Sequence, residues 1–378
     1  MLLVSEPVLG AEEKSALSDV VESGWITMGP RVRAFEEAFA AAHGLPDCVA
    51  VSSCTAALHL ILLAAGIGPG DEVLVPSLTF AATANSVLYV GAKPVFVDIE
   101  SLDVPLISPA RAEELCNERT KAVILVHYAG ALADAAPWRA LAERYGLLLI
   151  EDSAHAVGVE GPGTIGDAAA FSFYGNKNMT TGEGGVVTAR DPALLERVRL
   201  MRGHGMTSGT FARLNSRTPH YDVTMLGFNY RMDELRAAVG LVQLGHLPAW
   251  NATRRAFGRL YRRLIANACP DVRVPFSDEH ACSHHIMPAI LPAGVDRDRV
   301  IERLRDAGIQ TTIHYPPVHS LTLYRERPDI GPLPVTEEFA SRELTLPLHP
   351  RMTPADVEHV VEVLAAALRR QRAHPPQT

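Results

Sequence analysis

The sequence predicts an α/β protein with a mainly parallel sheet, followed by a smaller α+β unit. Between residues 48 and 200, short apolar runs alternate with helix-length segments, and the apolar runs are rich in β-branched residues. Strands that are buried on both faces and separated by helices are typical of parallel sheets. After Arg231 a long helical stretch begins, and the remainder offers strands and helices of its own. We expect a large domain over residues 1–250 and a small domain over residues 251–378.

The elements of the large domain follow one another in strand and helix pairs. The strand CVAVSS precedes the helix TAALHLILLAAG, and the strand EVLVPS precedes the helix LTFAATANSVLYVG. Two further strands, KPVFVDI and KAVILVH, are followed by the helix APWRALAERYG and the strand LLLIED. Each apolar run has the length of a strand, and each intervening segment has the length of a helix.

The second part of the chain opens on the segment MDELRAAVGLVQLGHLPAWNATRRAFGRLYRRLIAN, which predicts a helix that only Pro248 would bend. It is followed by a strand (HHIMPAIL), a helix (VDRDRVIERLRDAG), a strand (IQTTIHY) and a closing helix (PADVEHVVEVLAAALRR). His284 and His285 start the first of these strands. Adjacent side chains on a strand point to opposite faces, so we expect no metal site there.

The composition excludes several classes of partner. The chain has 378 residues, is 47% hydrophobic and 21% charged, and carries a formal charge of −8. This charge argues against nucleic acid and anionic membranes, which favour a basic surface. No apolar run approaches the roughly 18 residues of a membrane span, and no secretory signal is visible, so we expect a cytoplasmic protein. The five cysteines are scattered without a C-x-x-C pair, which favours reduced thiols.

Lys177 is the first candidate for chemistry. It lies in the stretch FSFYGNKNMTTGEGG, and only four of the 35 basic Lys and Arg residues are lysine. Arginine stays protonated in proteins, whereas lysine can lose its proton and attack a carbonyl carbon. The sequence therefore makes Lys177 a candidate nucleophile, with a solvated surface charge as the alternative.

Other candidates follow the predicted strands, where ligands of α/β sheets gather. The turn from Ser53 to Thr55 opens a helix and can bind an anion such as phosphate, although Ser and Thr also serve as plain helix caps. Asp152 ends a buried strand, where a carboxylate needs a cation, a cap or an internal ion pair. Phe80 can cover a planar ligand or belong to the core. His155 can bind a cofactor oxygen or simply pack.

Together these features fit pyridoxal 5′-phosphate. A phosphate site, an anion for a pyridinium nitrogen, an aromatic cover and an imine-forming lysine are what this cofactor requires. Ser172, just before the lysine, would add a phosphate hydroxyl, and the glycines of Gly182–Gly185 would let the backbone pass closely.

Five segments then reveal a resemblance that extends along nearly the whole chain. They are SSCTAALHL, PSLTFAATANSVLYVGAKPVFVD, EDSAHAVG, FSFYGNKNMTTGEGG and GFNYRMDELRAAVGLVQL. This set resembles the DegT/DnrJ/EryC1/StrS family of sugar aminotransferases. The resemblance implies a fold-type I, aspartate-aminotransferase-like large domain with a mainly parallel seven-stranded sheet. It also implies a homodimer with shared active sites.

The resemblance assigns roles to the candidates by matching positions. Lys177 would be the Schiff-base lysine, Asp152 the partner of the pyridine nitrogen, and Phe80 the stacking residue. The residues expected against the phosphate are Cys54 through its amide, Thr55, Ser172 and, from the neighbouring subunit, Asn229. Two positions depart from the family pattern: His155 stands where many relatives carry glutamine, and Cys54 where they carry glycine or alanine.

The resemblance also implies a reaction. It would move an amino group from L-glutamate to a nucleotide-linked keto sugar in a ping-pong cycle. Lys177 separates the chain from the family's dehydrases, which carry histidine there. The segments SGWITMGP, VHYAGA and EDSAHAVG resemble the branch that aminates C4 of 4-keto sugars, which makes Trp25, His314 and His319 candidate substrate contacts, with packing or surface exposure as the alternative.

Three alternatives stay open. The first is the same chemistry on another ketone, such as a 3-keto sugar, a side-chain ketone of a longer sugar or a cyclitol. The second is a sensor that binds pyridoxal phosphate without catalysis. The third, a plain nucleotide-binding protein, is disfavoured because neither G-x-G-x-x-G after the first strand nor a P-loop is present.

Overall fold

The computed structural model describes residues 1–209, 211, 220–326 and 330–373, and its largest feature is a seven-stranded, mostly parallel sheet. The strands are β1 (Val49–Val51), β2 (Glu72–Pro76), β3 (Lys93–Val97), β4 (Thr120–Val126), β5 (Leu148–Asp152), β6 (Ala168–Ser172) and β7 (Gly185–Ala189). Their order is β1-β7-β6-β5-β4-β2-β3, and only β7 runs antiparallel to its neighbours. The predicted α/β class and seven-stranded sheet are confirmed.

Helices cover this sheet and lead into the rest of the chain. Those up to residue 201 are α1 (Ala11–Ser23), α2 (Pro30–Ala42), α3 (Cys54–Ala64), α4 (Ala81–Tyr89), α5 (Pro109–Leu115), α6 (Ala135–Tyr145) and α7 (Pro192–Met201). The long helix α8 (Glu234–Ala268) is continuous, with Pro248 inside it. It runs through residue 250, where the sequence analysis placed the domain boundary.

The C-terminal part has a second, two-stranded sheet, in which β8 (Met287–Ile290) pairs antiparallel with β9 (Glu343–Leu346). Its helices are α9 (Arg297–Asp306), α10 (Thr322–Arg325), α11 (Pro334–Arg342) and α12 (Pro354–Ala373). Apolar side chains from Phe257 to Leu368 form a core of their own here. A separate core is what a second folding unit needs, and the division into residues 1–250 and 251–378 stays a prediction.

Two predictions for this part were wrong in detail. The segment IQTTIHY is not a regular strand, because it pairs only at isolated bridges, Leu2 with Ile309 and Thr312 with Thr345. The strand that pairs with β8 is Glu343–Leu346, which was not predicted from the sequence. The strand β8 begins at Met287, since His284 has a left-handed backbone with a φ of 49° and cannot continue a strand.

No helix among the described residues combines the length and the apolar character needed to cross a lipid bilayer.

The helices that position the functional residues are short and lie on the large sheet. The carboxyl ends of β5 and β6 and the beginning of α3 meet at one edge of this sheet, which is where ligands of such sheets bind.

Candidate active site

A cavity of about 500 Å³ opens at this edge of the sheet. Eight of the predicted site residues line it: Cys54, Thr55, Phe80, Asp152, His155, Ser172, Lys177 and His314. Residues before 185 provide most of the lining, and the segment from Thr312 to Tyr315 closes it from the C-terminal part. We call this space the active-site cavity.

Lys177 is half-buried and is the one lysine of the four in the sequence that lines the active-site cavity. Burial lowers the pKa of its amine to about 8, while the nearby Asp152 and Cys54 act in the opposite direction. The other lysines lie elsewhere: Lys14 is exposed, Lys93 pairs with Glu72, and Lys121 donates to the carbonyl of Glu118. A substantial fraction of the Lys177 amine is therefore neutral near pH 8 and able to act as a nucleophile or base.

Asp152 ends β5 on the cavity side. Its Oδ2 accepts a hydrogen bond of 2.8 Å from the Thr83 hydroxyl, and its Oδ1 accepts one of 3.2 Å from the amide of Ala154. Burial raises the pKa of this carboxyl, and these two bonds together with Lys177 oppose the rise. A cation placed beside Asp152 would favour its ionised form further.

The neighbouring carboxylate, Glu151, faces the other side of the sheet. It accepts hydrogen bonds from His127 at 2.8 Å and from the amides of Gly163 and Gly166 at 3.0 and 2.6 Å. Successive side chains on a strand alternate between faces, so only one of the two acidic residues can point into the cavity. Asp152 is that residue.

The first turn of α3 forms one corner of the cavity. Ser53 caps the helix by accepting a 3.1 Å hydrogen bond from the amide of Ala56. The first amide groups of a helix have no intrahelical acceptor, and the helix dipole favours an anion beside them. Gly185 in β7 lies so close that a Cβ there would come within 2.6 Å of the Ser53 carbonyl carbon, so this approach requires glycine. Ser172, at the end of β6, lines the same cavity.

His155 holds a second side of the cavity with Tyr315. The tyrosine oxygen lies 2.9 Å from His155 Nε2, and burial, followed by the charges of Lys177 and His314, keeps the pKa of His155 well below its usual value. His155 Nδ1 is buried and has no partner among the described residues. Behind it, the ring of His285 lies 4.3 Å from that of His155 and its Nδ1 is 3.0 Å from Asn178 Oδ1.

His314 reaches the cavity from the segment that the sequence analysis read as a strand. Its Nδ1 lies 2.8 Å from the Thr345 hydroxyl, and its amide donates to Glu343 Oε2 at 2.9 Å. Burial and Lys177 lower the pKa of His314 to about 4, so the ring is neutral near pH 7. The peptide bond to Tyr315 is cis.

Three predicted residues do not line the cavity of their own chain. Trp25 packs edge-on against Phe211, with ring centroids 5.2 Å apart. His319 is held by Ser77, whose Oγ lies 2.6 Å from its Nδ1. Asn229 is exposed and forms an isolated bridge. Their roles stay predictions, and that of Asn229 concerns a neighbouring subunit.

Several residues of the site were not found by sequence reasoning. Thr83 lies in the first turn of α4 and looks like an ordinary helical residue in the sequence, although its hydroxyl donates to Asp152. Tyr315 follows His314 in the predicted strand, and Glu343 and Thr345 come almost 30 residues later. Only the polarity of Glu343 and Thr345 within the apolar run ELTLPL could have signalled them.

The residues present fit the chemistry of pyridoxal phosphate. The residues that line this one space provide a half-buried amine, a carboxylate, the start of a helix and a histidine with an unpartnered buried ring nitrogen. The described residues contain no group of three or more His, Cys, Asp or Glu side chains placed to bind a metal ion. The geometry thus supports a planar ligand with a protonated ring nitrogen beside Asp152 and a phosphate at the start of α3.

Comparison with known proteins points the same way. The family model of the DegT/DnrJ/EryC1/StrS aminotransferase family matches residues 7–365. Among solved structures, the aminotransferase TlmJ from Streptoalloteichus hindustanus is 35% identical, with 98% of this chain and 99% of that chain covered and a TM-score of 0.91.

Two further solved proteins are described with a form of the cofactor or with a sugar product. Spr1654 from Streptococcus pneumoniae, solved in a PMP form, is 29% identical, with a TM-score of 0.91 and 97% and 99% of the two chains covered. It has also been solved in a PLP form. DesI, solved in the presence of its TDP-sugar product, is 32% identical, with a TM-score of 0.87 and 98% and 94% of the chains covered.

Proposed function

Since the chain belongs to the DegT/DnrJ/EryC1/StrS aminotransferase family, we propose that it transfers an amino group from L-glutamate to a nucleotide-linked keto sugar, with pyridoxal 5′-phosphate bound in the active-site cavity. The observation that carries this proposal is that Lys177 and Asp152 line one cavity together with the first turn of α3. An amine, a carboxylate and an anion site in one space are the three requirements of the cofactor.

The cofactor would be held by residues from three elements. The first turn of α3, with Cys54 and Thr55, and Ser172 from β6 would bind its phosphate. Asp152 would bind its ring nitrogen, and Phe80 would cover its ring at the cavity mouth, where this side chain is 62% exposed. When bound, pyridoxal phosphate supplies an electron sink at the reacting carbon and carries the amino group between the two half-reactions.

In the proposed reaction, the amine of Lys177 removes a proton from the amino donor and later returns it. Its amine can leave the protonated state near neutral pH because burial holds its pKa near 8. The neutral amine can remove the proton from the α-carbon of the amino donor, and the ammonium group so formed can return that proton to the carbon on the other side of the transferred nitrogen. Arginine cannot replace it, because the guanidinium keeps its proton.

Asp152 and the residues around it fix the orientation of this site. Thr83 and the Ala154 amide hold the carboxylate in one position, which keeps its charge directed into the cavity. His155, held by Tyr315, presents its free Nδ1 as a further polar contact for the cofactor. These groups are preorganised, so little reorganisation accompanies the reaction.

We propose a 4-keto-6-deoxyhexose or a 4-keto pentose as the sugar, with C4 as the aminated carbon, in cell-surface glycan or natural-product biosynthesis. The sequence similarity to that branch and the TDP-sugar product of the related DesI support this choice. His314 is the predicted substrate residue that lines the cavity. Trp25 and His319 remain candidate contacts, and the cytoplasmic location stays a prediction.

The first experiment adds L-glutamate to the purified protein loaded with pyridoxal phosphate. We expect the absorption of the bound cofactor to change to that of its aminated form, with release of 2-oxoglutarate. The aminated protein is then mixed in turn with 4-keto, 3-keto and side-chain keto sugar nucleotides. A glutamate-driven change that no keto sugar reverses would overturn the substrate class, while cofactor binding without any change would favour the sensor.

We also propose a homodimer in which Asn229 completes the partner's site. Asn229 is exposed and does not line the cavity of its own chain, which supports this role. Mixing Lys177→Ala and Asn229→Ala homodimers under conditions of subunit exchange should restore activity, because each mixed dimer then contains one intact site. If both residues served the same chain, mixing would restore nothing.

A further inference from the structure

Three residues at the C-terminal side of the cavity, Glu343, Thr345 and His314, contact one another. Glu343 and Thr345 in β9 are fully buried, and the segment of His314 lies against them. The Thr345 hydroxyl oxygen is 2.5 Å from Glu343 Oε1 and 2.8 Å from His314 Nδ1. The second carboxyl oxygen of Glu343 accepts the amide of His314 at 2.9 Å. The three side chains thus form one hydrogen-bonded chain that ends in the active-site cavity.

A single hydroxyl proton limits this chain to two arrangements. If Glu343 is ionised, the Thr345 hydroxyl donates to the carboxylate and its oxygen accepts from His314 Nδ1–H, which leaves Nε2 as an acceptor. If Glu343 is protonated, its O–H donates to Thr345, Thr345 donates to Nδ1, and the ring proton of His314 moves to Nε2. The hydrogen bond made by one ring nitrogen sets the state of the other.

We propose that Glu343 is a positioning residue that acts through Thr345 to keep His314 in its Nε2–H form, so that His314 offers the substrate a hydrogen-bond donor. Nε2 makes no hydrogen bond with any described residue, and the ring lines the cavity. A donor suits the hydroxyl, carbonyl and phosphate oxygens of a nucleotide-linked keto sugar. The substrate part of this inference rests on the proposed function.

Burial supports the protonated form of Glu343. None of the ion pairs among the described residues includes this carboxyl, and burial raises its pKa to about 8. The hydrogen bonds with Thr345 and the His314 amide oppose this rise, as does the charge of Arg297 in α9. Arg297 donates to the Glu343 carbonyl oxygen at 3.1 Å, away from the carboxyl. Burial, with a smaller contribution from the Glu343 charge, raises the pKa of both Tyr128 and Tyr315 above its usual value. Both phenols are therefore neutral neighbours of the carboxyl.

The test reads the ring nitrogens of His314 directly, by ¹⁵N NMR of the cofactor-loaded protein labelled at histidine. The His314→Asn variant assigns the signal. We expect the Nε2–H form near neutral pH and a shift towards Nδ1–H well above pH 8, where Glu343 ionises. Because Lys177 titrates in the same range, activity alone cannot separate the two groups, whereas the nitrogen signal can.

Variants sharpen this test. In Glu343→Gln the amide oxygen can accept from the His314 amide while the NH₂ group donates to Thr345, so the Nε2–H form should persist at high pH. Thr345→Val should abolish the preference and raise KM for the keto sugar nucleotide about 2–10-fold, with KM for glutamate unchanged, and Thr345→Ser should restore both. Thr188→Val, which removes a buried hydroxyl that donates to the carbonyl of Asp47, is the matched control.

The Nδ1–H form at neutral pH in the unmodified protein would overturn the inference. So would an unchanged nitrogen signal in Thr345→Val. Neither outcome depends on which substrate the enzyme uses, so a failure of this inference can be told apart from a failure of the proposed function. If no keto sugar nucleotide is accepted, the nitrogen signal still decides the role of Glu343.

Discussion

The two sides of the active-site cavity are built differently. The cofactor side, which we define as Cys54, Thr55, Asp152, Ser172 and Lys177, lies at the ends of β5 and β6, at the start of α3 and shortly after β6. The substrate side, residues 312–315, is an irregular segment that bridges β9 at one residue and reaches the cavity from the C-terminal part. Most residues proposed for the chemistry therefore lie on or directly beside regular elements, with Lys177 in the turn after β6, whereas the residues proposed for recognition lie on an irregular segment.

The largest expected effect is on the cofactor side. Lys177→Arg keeps the charge but removes a group that can lose its proton, and should lower turnover by at least about 10²–10⁴-fold. Both half-reactions, followed separately by the absorption of the cofactor, should be affected. Lys121→Arg, at an exposed site, is the control. Near-normal turnover in Lys177→Arg would contradict the proposal that Lys177, on the cofactor side, carries out the reaction.

Asp152→Asn should have the next largest effect. Removing one partner of a buried charge pair costs about 3–5 kcal/mol, which corresponds to about 10² to 5 × 10³-fold in turnover. Thr83→Val leaves the carboxylate but removes its 2.8 Å hydrogen bond, and should cost only about 10–10²-fold. Steady-state kinetics at saturating pyridoxal phosphate measures both. Equal effects of the two substitutions would mean that the charge of Asp152 contributes little.

The rate at which the cofactor-free protein binds pyridoxal phosphate should depend on pH, and this dependence tests the cofactor side through Lys177. Burial lowers the pKa of Lys177 to about 8, so the neutral amine predominates only above that pH. The rate at which cofactor-free protein captures pyridoxal phosphate should therefore rise about tenfold per pH unit below this value and level off above it. Stopped-flow absorption measures this rate. A rise that continues towards the ordinary lysine pKa would show that the amine is not desolvated.

The smallest effect is expected where the two sides meet. Tyr315→Phe removes the hydroxyl that lies 2.9 Å from His155 Nε2 and should lower kcat/KM about 2–10-fold. Its ring still packs 6.0 Å from that of Phe80, so cofactor affinity should change little. Titration of the cofactor-free variant with pyridoxal phosphate checks the second point. A loss of cofactor affinity as large as that of Asp152→Asn would place Tyr315 on the cofactor side.

The difference between the cofactor side and the irregular substrate side also explains how much of the site could be predicted from the sequence. Lys177 and Asp152 follow strands with clear apolar patterns, and the ends of neighbouring parallel strands must meet, so their proximity follows from the fold class. The segment IQTTIHY has the alternation of a strand, but its hydrogen bonds go to isolated positions on Leu2 and Thr345. Local pattern does not encode such long-range pairing, and Glu343 was missed for the same reason.

The central claim, that Lys177 bonds covalently to pyridoxal phosphate, can be tested by one measurement. The purified protein is incubated with the cofactor, treated with borohydride to make any lysine linkage permanent, digested and analysed by mass spectrometry. The sequence contains only four lysines, Lys14, Lys93, Lys121 and Lys177, so the site is unambiguous. We predict a single modified peptide that contains Lys177. Modification at another lysine, or none at all, would contradict the account.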